Sequence, residues 1–243
     1  MNPREKKLGF YFCLKNFFKF LTSRKYIREN ATEAMDPIKI KDVDQKKRET
    51  LTIDESIKFI YKIEENSIPS QRLRNKCIAY IFLFCALRVS ELVDLRVEDI
   101  DFKHKTLYVR GKGGKIREVP LFEGEMVSDL KQYVKTKKKT DYLFTRKTSN
   151  EPISQRSIHD LIKRHIAMAK IKKLIGCHSL RRTAASNLLA SGVNLRHIQI
   201  YLGHSDISTT MRYLNPDKEE VKQDIRDKSL MSKKLKRKRK KEK

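Results

Sequence analysis

The chain has 243 residues, with 56 Lys+Arg against 30 Asp+Glu, a formal net charge of +26 at pH 7 and a pI near 10.0. That excess points to a polyanionic partner, nucleic acid first. No apolar run is long enough to span a bilayer, which excludes a membrane-spanning helix, and Cys13, Cys77, Cys85 and Cys177 form no CxxC pair and read as reduced thiols.

The first predicted element is an aromatic-rich helix over residues 9–22, with Phe10, Leu14, Phe17, Phe18 and Leu21 on one stripe. A second short helix or turn covers 23–35 and is broken by Asp36-Pro37. Residues 37–50 read as a charged linker. Thr52 and Glu55 form a capping-box pattern that opens a helix to about Glu65. Cys77–Leu87 reads as a buried core helix, and Arg88 follows it directly, with Glu91 three residues on. A core-anchored backbone suits a preorganised cation; a helix-end arginine meeting solvent and carbonyls is the plainer alternative.

From Ile100 the pattern turns to strands, Thr106–Arg110 and Lys115–Leu121, around the glycine turn that holds Lys112. A polar-faced helix over Glu123–Lys135 leads to Lys137, Lys138 and Lys139, read as a solvated loop able to meet phosphates. Ser154 caps a helix to about Lys170, with Ile158, Leu161, Ile162, His165 and Ile166 inward; His159 and His165 read as structural or surface residues. No His/Cys cluster has metal-ligand spacing, and neither a metal nor a cofactor is expected.

The densest stretch is His178–Tyr213. His178 and Arg181 are three apart and share one face of a helical turn, held down by Ala184, Ala185, Leu188, Leu189 and Ala190, with Gly192 as the stop. A second helix, Leu195–Leu202, ends at Gly203, His204 follows, and a Ser/Thr-rich turn leads to Tyr213. A polar helix from Asp217 to about Leu230 precedes a basic tail, Ser232–Lys243, with nine Lys/Arg and one Glu, read as disordered. Lys233, Lys234, Lys236 and Arg237 in that tail are candidate DNA contacts.

His178-Ser-Leu-Arg181, Leu202-Gly203-His204 and Tyr213, preceded by Arg88 in ALRVSEL and Lys112 in RGKGGKIREVPL, resemble the tyrosine recombinases, the phage integrase family, over about Thr52–Pro216. The resemblance implies a mainly α-helical fold with a small antiparallel β-sheet (α+β), preceded by a partial helical core-binding domain. The domains expected are a partial N-terminal helical segment at 1–36, the linker at 37–50, a catalytic domain at 51–216, a C-terminal helix at 217–231 and the tail at 232–243. It implies a site-specific DNA recombinase or integrase of a mobile element, acting on double-stranded DNA as a homo-oligomer, a tetramer on DNA. The cytoplasm, with the nucleoid, is the expected location.

By resemblance, Tyr213 is the nucleophile and Lys112 donates the proton to the leaving 5′ oxygen, with Lys115 as the alternative. The residue chemistry fits. A tyrosine of ordinary pKa near 10 needs a base or a cationic site, and His178 is placed to take or share its proton. Arg88 and Arg181 would clamp the non-bridging oxygens, His204 would add a hydrogen bond, and Glu91 would orient one of these groups. The product would be a 3′-phosphotyrosyl link. Two alternatives stay open: a type IB topoisomerase-like enzyme, and a DNA-binding accessory protein that does not recombine.

Overall fold

Thr52 opens the first helix of the larger of two units into which the chain divides, Met1–Lys47 and Arg48–Lys243. Its hydroxyl accepts the Glu55 N–H at 3.1 Å, and the Glu55 carboxylate accepts the Thr52 N–H at 2.7 Å, closing the expected capping box. The structure, a computed structural model, describes residues 3–35, 49–111, 114–122, 124–146, 149–203 and 218–229.

In the first unit, α1 (Pro3–Ser23) buries Tyr11, half-buries Leu14, Phe18 and Leu21 and exposes Phe10, Phe17 and Phe20. Hydrogen-bonded turns follow, Lys25 taking a left-handed conformation (φ 59°) as Tyr26 N–H donates back to Leu21 O.

The core of the second unit is α3 (Pro69–Cys85), with proline in its first turn where no N–H is missed. Every residue from Asn75 to Cys85 is buried, the mark of a central helix. Its one ammonium there, Lys76, meets Asp129 at 2.8 Å and Glu64 at 3.2 Å. Around α3 pack α2 (Ile53–Asn66), α5 (Glu125–Val134) and α7 (Cys177–Ala190), while α6 (Gln155–Met168) packs on α2, α7 and the short α4 (Val89–Asp94). Ser154 caps α6, its hydroxyl accepting the Ser157 N–H at 3.1 Å. His165 lies inside, a structural residue: Nδ1 donates to Leu161 O at 2.8 Å, and Nε2 sits 3.3 Å from the Ser67 hydroxyl. Burial pulls its pKa below the ordinary value.

The sheet is antiparallel in the order β1 (Ile100–Asp101), β2 (Thr106–Arg110), β3 (Ile116–Pro120). Leu107 faces Val119 and Val109 faces Arg117 across the hairpin, whose turn closes as Gly111 N–H donates to Lys115 O at 2.8 Å. The fold is thus mainly helical with a small three-stranded antiparallel sheet. α8 (Leu195–Leu202) ends at Gly203. α9 (Lys218–Lys228) docks on α8 and β3, burying Val221 and Ile225, with Lys222 paired to Glu118 at 3.1 Å and Asp224 2.7 Å from His197.

Among the described residues no helix is long and apolar enough to cross a membrane. Cys13 is exposed; Cys77, Cys85 and Cys177 are buried, and burial pushes all three thiols above the ordinary range, Cys177 to about 11.

Candidate active site

Where α3 stops, the backbone makes two abrupt changes. Ala86 takes a left-handed conformation (φ 52°), and two residues later Arg88 becomes the N-cap of α4. Leu87 between them is buried, so the arginine's backbone is fixed by the core. Glu91, at the third position of α4, reaches back to accept the Arg88 N–H at 2.7 Å and the Arg88 Nη1 at 2.7 Å. A carboxylate beside the first N–H groups of a helix also meets the positive end of its dipole.

Two further arginines arrive at the same carboxylate. Arg117, from β3, donates Nη1 to Glu91 Oε1 at 2.9 Å and Nη2 to Oε2 at 2.8 Å, a bidentate fork. Arg181, from the second turn of α7, places Nη1 at 3.5 Å from Glu91 Oε2. It also donates to Ala86 O at 2.6 Å and to Leu202 O at 2.5 Å, so one guanidinium ties the end of α3 to the end of α8. Arg117 Nε donates to Tyr201 O at 3.2 Å, one residue earlier on α8.

Three guanidinium charges therefore face one buried carboxylate, and the cluster is left cationic. Burial alone would raise the Glu91 pKa; the hydrogen bonds from Arg117 and Arg88 outweigh it and hold the carboxyl at about 2. Burial, together with the neighbouring Arg88, lowers Arg181 to about 10, Glu91 opposing, so it stays charged at neutral pH. Arg88 is the opening of the cluster, its side chain 38% exposed against 9% for Arg181. His178, in the first turn of α7, is exposed one turn before Arg181.

The structure thus brings Arg88, Glu91 and Arg181 together. Lys115 stands exposed beside the β2–β3 turn. Lys112, His204 and Tyr213 lie outside the described residues, as do the tail cations Lys233, Lys234, Lys236 and Arg237. Lys138 and Lys139 are exposed, whereas Lys137 is half-buried, its Nζ 5.3 Å from the Tyr133 ring centre and donating to Thr145 Oγ1 at 3.3 Å. Burial lowers its pKa.

Arg117 was not among the expected site residues. The signal lies in the hairpin: counted from the glycine turn, Arg117 is the partner of Val109, and facing pairs share one side of a sheet, here the buried one. An arginine on the core face of a strand needs a buried anion, and Glu91 supplies it.

The profile of the Phage integrase family matches residues 39–220. Tyrosine recombinase XerC of Thermodesulfovibrio yellowstonii is 34% identical over 214 residues, 84% of this chain and 69% of the relative. Tyrosine recombinase XerD of Staphylococcus aureus is 31% identical over 220 residues, 88% of this chain and 72% of the relative. Among solved structures, XerA recombinase superposes with a TM-score of 0.58 at 28% identity, over 71% of this chain and 62% of that one. XerH site-specific recombinase, in a pre-cleavage complex with its difH substrate, gives 0.59 at 27%, over 70% of this chain and 51% of that one. The Tn1549 transposon integrase in complex with circular intermediate DNA shares the fold, with a TM-score of 0.66 at 21% identity. The cationic cluster at the junction of α3, α7 and α8 therefore sits in a chain that belongs to the phage integrase family, the tyrosine recombinases, enzymes that cleave and rejoin DNA.

Proposed function

We propose that the chain is a site-specific recombinase that cuts one DNA strand through a 3′-phosphotyrosyl intermediate and rejoins it to a new 5′ hydroxyl. The observation that carries this is the gathering of Arg88 and Arg181 on Glu91, with positive charge in excess and Arg88 open to solvent. A phosphodiester entering there would accept planar, permanently charged forks on its non-bridging oxygens. Its negative charge grows in the transition state, and donors already fixed in place need no reorganisation to meet it; each such donor contributes about 3 kcal/mol to the barrier.

The remaining roles follow the ordered motifs. Tyr213 attacks phosphorus; His178 takes or shares its proton; Lys112, or else Lys115, protonates the leaving 5′ oxygen; His204 adds a hydrogen bond to the phosphate. The phosphotyrosyl bond keeps the energy of the broken phosphodiester, so rejoining needs no nucleotide. The partner is double-stranded DNA. A homotetramer on that DNA, in the cytoplasm with the nucleoid, completes the reading.

Tyr213→Phe tests it. The variant is expected to bind DNA like the parent and to form no covalent adduct on a nicked suicide duplex in a denaturing gel. An adduct trapped by the Phe variant would remove Tyr213 from the role. Relaxation of a supercoiled plasmid with no exchange between two candidate sites would turn the assignment to a topoisomerase-like enzyme.

A further inference from the structure

We propose that Arg117 is a positioning residue of this site: it fastens the carboxylate that gathers Arg88 and Arg181 to the end of α8, from which the chain runs on to His204 and Tyr213. The inference rests on the reading of Arg88 and Arg181 as the phosphate clamp.

Arg117 is held at three points. Nη1 and Nη2 grip both oxygens of Glu91 at 2.9 and 2.8 Å, and Nε donates to Tyr201 O at 3.2 Å. Its side chain is 13% exposed, and its donors are directed at protein oxygens instead of outward. It therefore acts through its neighbours and not on the substrate.

Those neighbours belong to separate parts of the proposed machinery. Glu91 binds the backbone and side chain of Arg88 and approaches Arg181. Tyr201 and Leu202 are the last two residues of α8, and their carbonyls go to Arg117 and Arg181 respectively. Helix C-termini leave such carbonyls unpaired and negative, so two guanidinium groups are well placed there. Gly203 then ends the helix with φ 65°, against the same side chain: a Cβ at this position would lie 3.0 Å from Arg117 Cδ and 3.3 Å from Nη1. Its lack of a side chain is thus required twice, by the left-handed turn and by the arginine beneath it. β3, α4 and α8 are locked into one frame by a single planar group. Lysine cannot replace it, because one ammonium on a flexible stem cannot satisfy three oxygens in two directions.

The test is single-turnover cleavage of a nicked suicide duplex at saturating DNA, with DNA affinity and melting midpoint measured alongside. Arg117→Lys keeps the charge and loses the fork. Its cleavage rate is expected to fall about 100-fold, the effect of misplacing a reacting group by about 1 Å, while DNA affinity stays within about threefold. Gly203→Ala removes no ion-pairing group but presses a methyl on Arg117 and strains the left-handed turn; it is expected to slow cleavage in the same way, and the double variant to be no slower than the slower single one. Wild-type cleavage by Arg117→Lys at saturation overturns the proposal, as does a rate loss fully matched by lost DNA affinity, or additive effects of the two substitutions. If Arg117→Lys does not fold, Gly203→Ala decides alone, and its cleaving at the parental rate overturns the proposal. Absence of any adduct with the parent protein is a different result: it refutes the phosphotyrosyl reading itself.

Discussion

Glu91 shows how one side chain changes meaning between sequence and structure. Read along the chain, it is an acidic residue three places after an arginine, of the kind found on most helix surfaces. In the fold its side chain is 5% exposed and joins three arginines from β3, α7 and the start of α4. The local half of that role was legible, because the i to i+3 spacing places the carboxylate at the Arg88 N–H. The rest was not, because Arg117 and Arg181 reach it only through tertiary packing. The carboxyl is held at about 2 against an ordinary 4.5, so its contribution to stability is complete above pH 4.5 and is lost as the pH falls toward 2. Glu91→Gln should cost about 3 kcal/mol at pH 7, since it leaves buried guanidinium groups without their anion. The variant's stability should also change less than the parent's between pH 4.5 and pH 2. Urea midpoints at pH 7 and at the acid end of that window measure both; equal midpoints for parent and variant at pH 7 would deny Glu91 this role.

At the scale of elements, the parts governed by local rules were readable. The capping box of α2, the Ser154 cap of α6, the span of α8 and its glycine stop, and β2 all stand where spacing places them. The strand pattern was read from Ile100, but β1 was not set apart as a strand of its own, because two residues leave no periodic trace. The docking of α9 was missed for another reason. Its sequence offers few apolar residues, and what seats it is Val221 and Ile225 aided by polar partners far away in the chain: Glu118 for Lys222, the carbonyls of His104 and Lys105 for Arg226, His197 for Asp224. A helix held largely by such polar pairings opens locally before the core does. Asp224 also meets Lys228 at 2.6 Å, and the half-buried cluster is worth about 1 kcal/mol. Asp224→Asn should therefore speed amide exchange in α9 about fivefold and leave α3 unchanged. Hydrogen-exchange mass spectrometry on peptides from the two helices reads this directly, and equal exchange of α9 in parent and variant would mean the cluster does not seat it.

Over the whole molecule the dominant quantity is charge, +26 in all, with nine Lys/Arg and one Glu in Ser232–Lys243. Removing that tail leaves Arg88, Glu91, Arg117 and Arg181 untouched. Non-specific DNA affinity at low salt should fall, and the salt dependence should flatten by about 0.9 for each phosphate that the tail would have neutralised. Cleavage at saturating DNA should persist, and an unchanged salt slope would show that the tail does not touch DNA. The cysteines carry a consequence for experiment. Maleimides and disulfide reagents react with thiolates, and the three cysteines of the larger unit are buried with their thiols driven toward the protonated form. Cys13, exposed on α1, is the remaining target. The native protein thus comes with a built-in attachment point for a fluorophore or spin label on its N-terminal unit, and distances from it to labelled DNA can be followed without a single engineered cysteine.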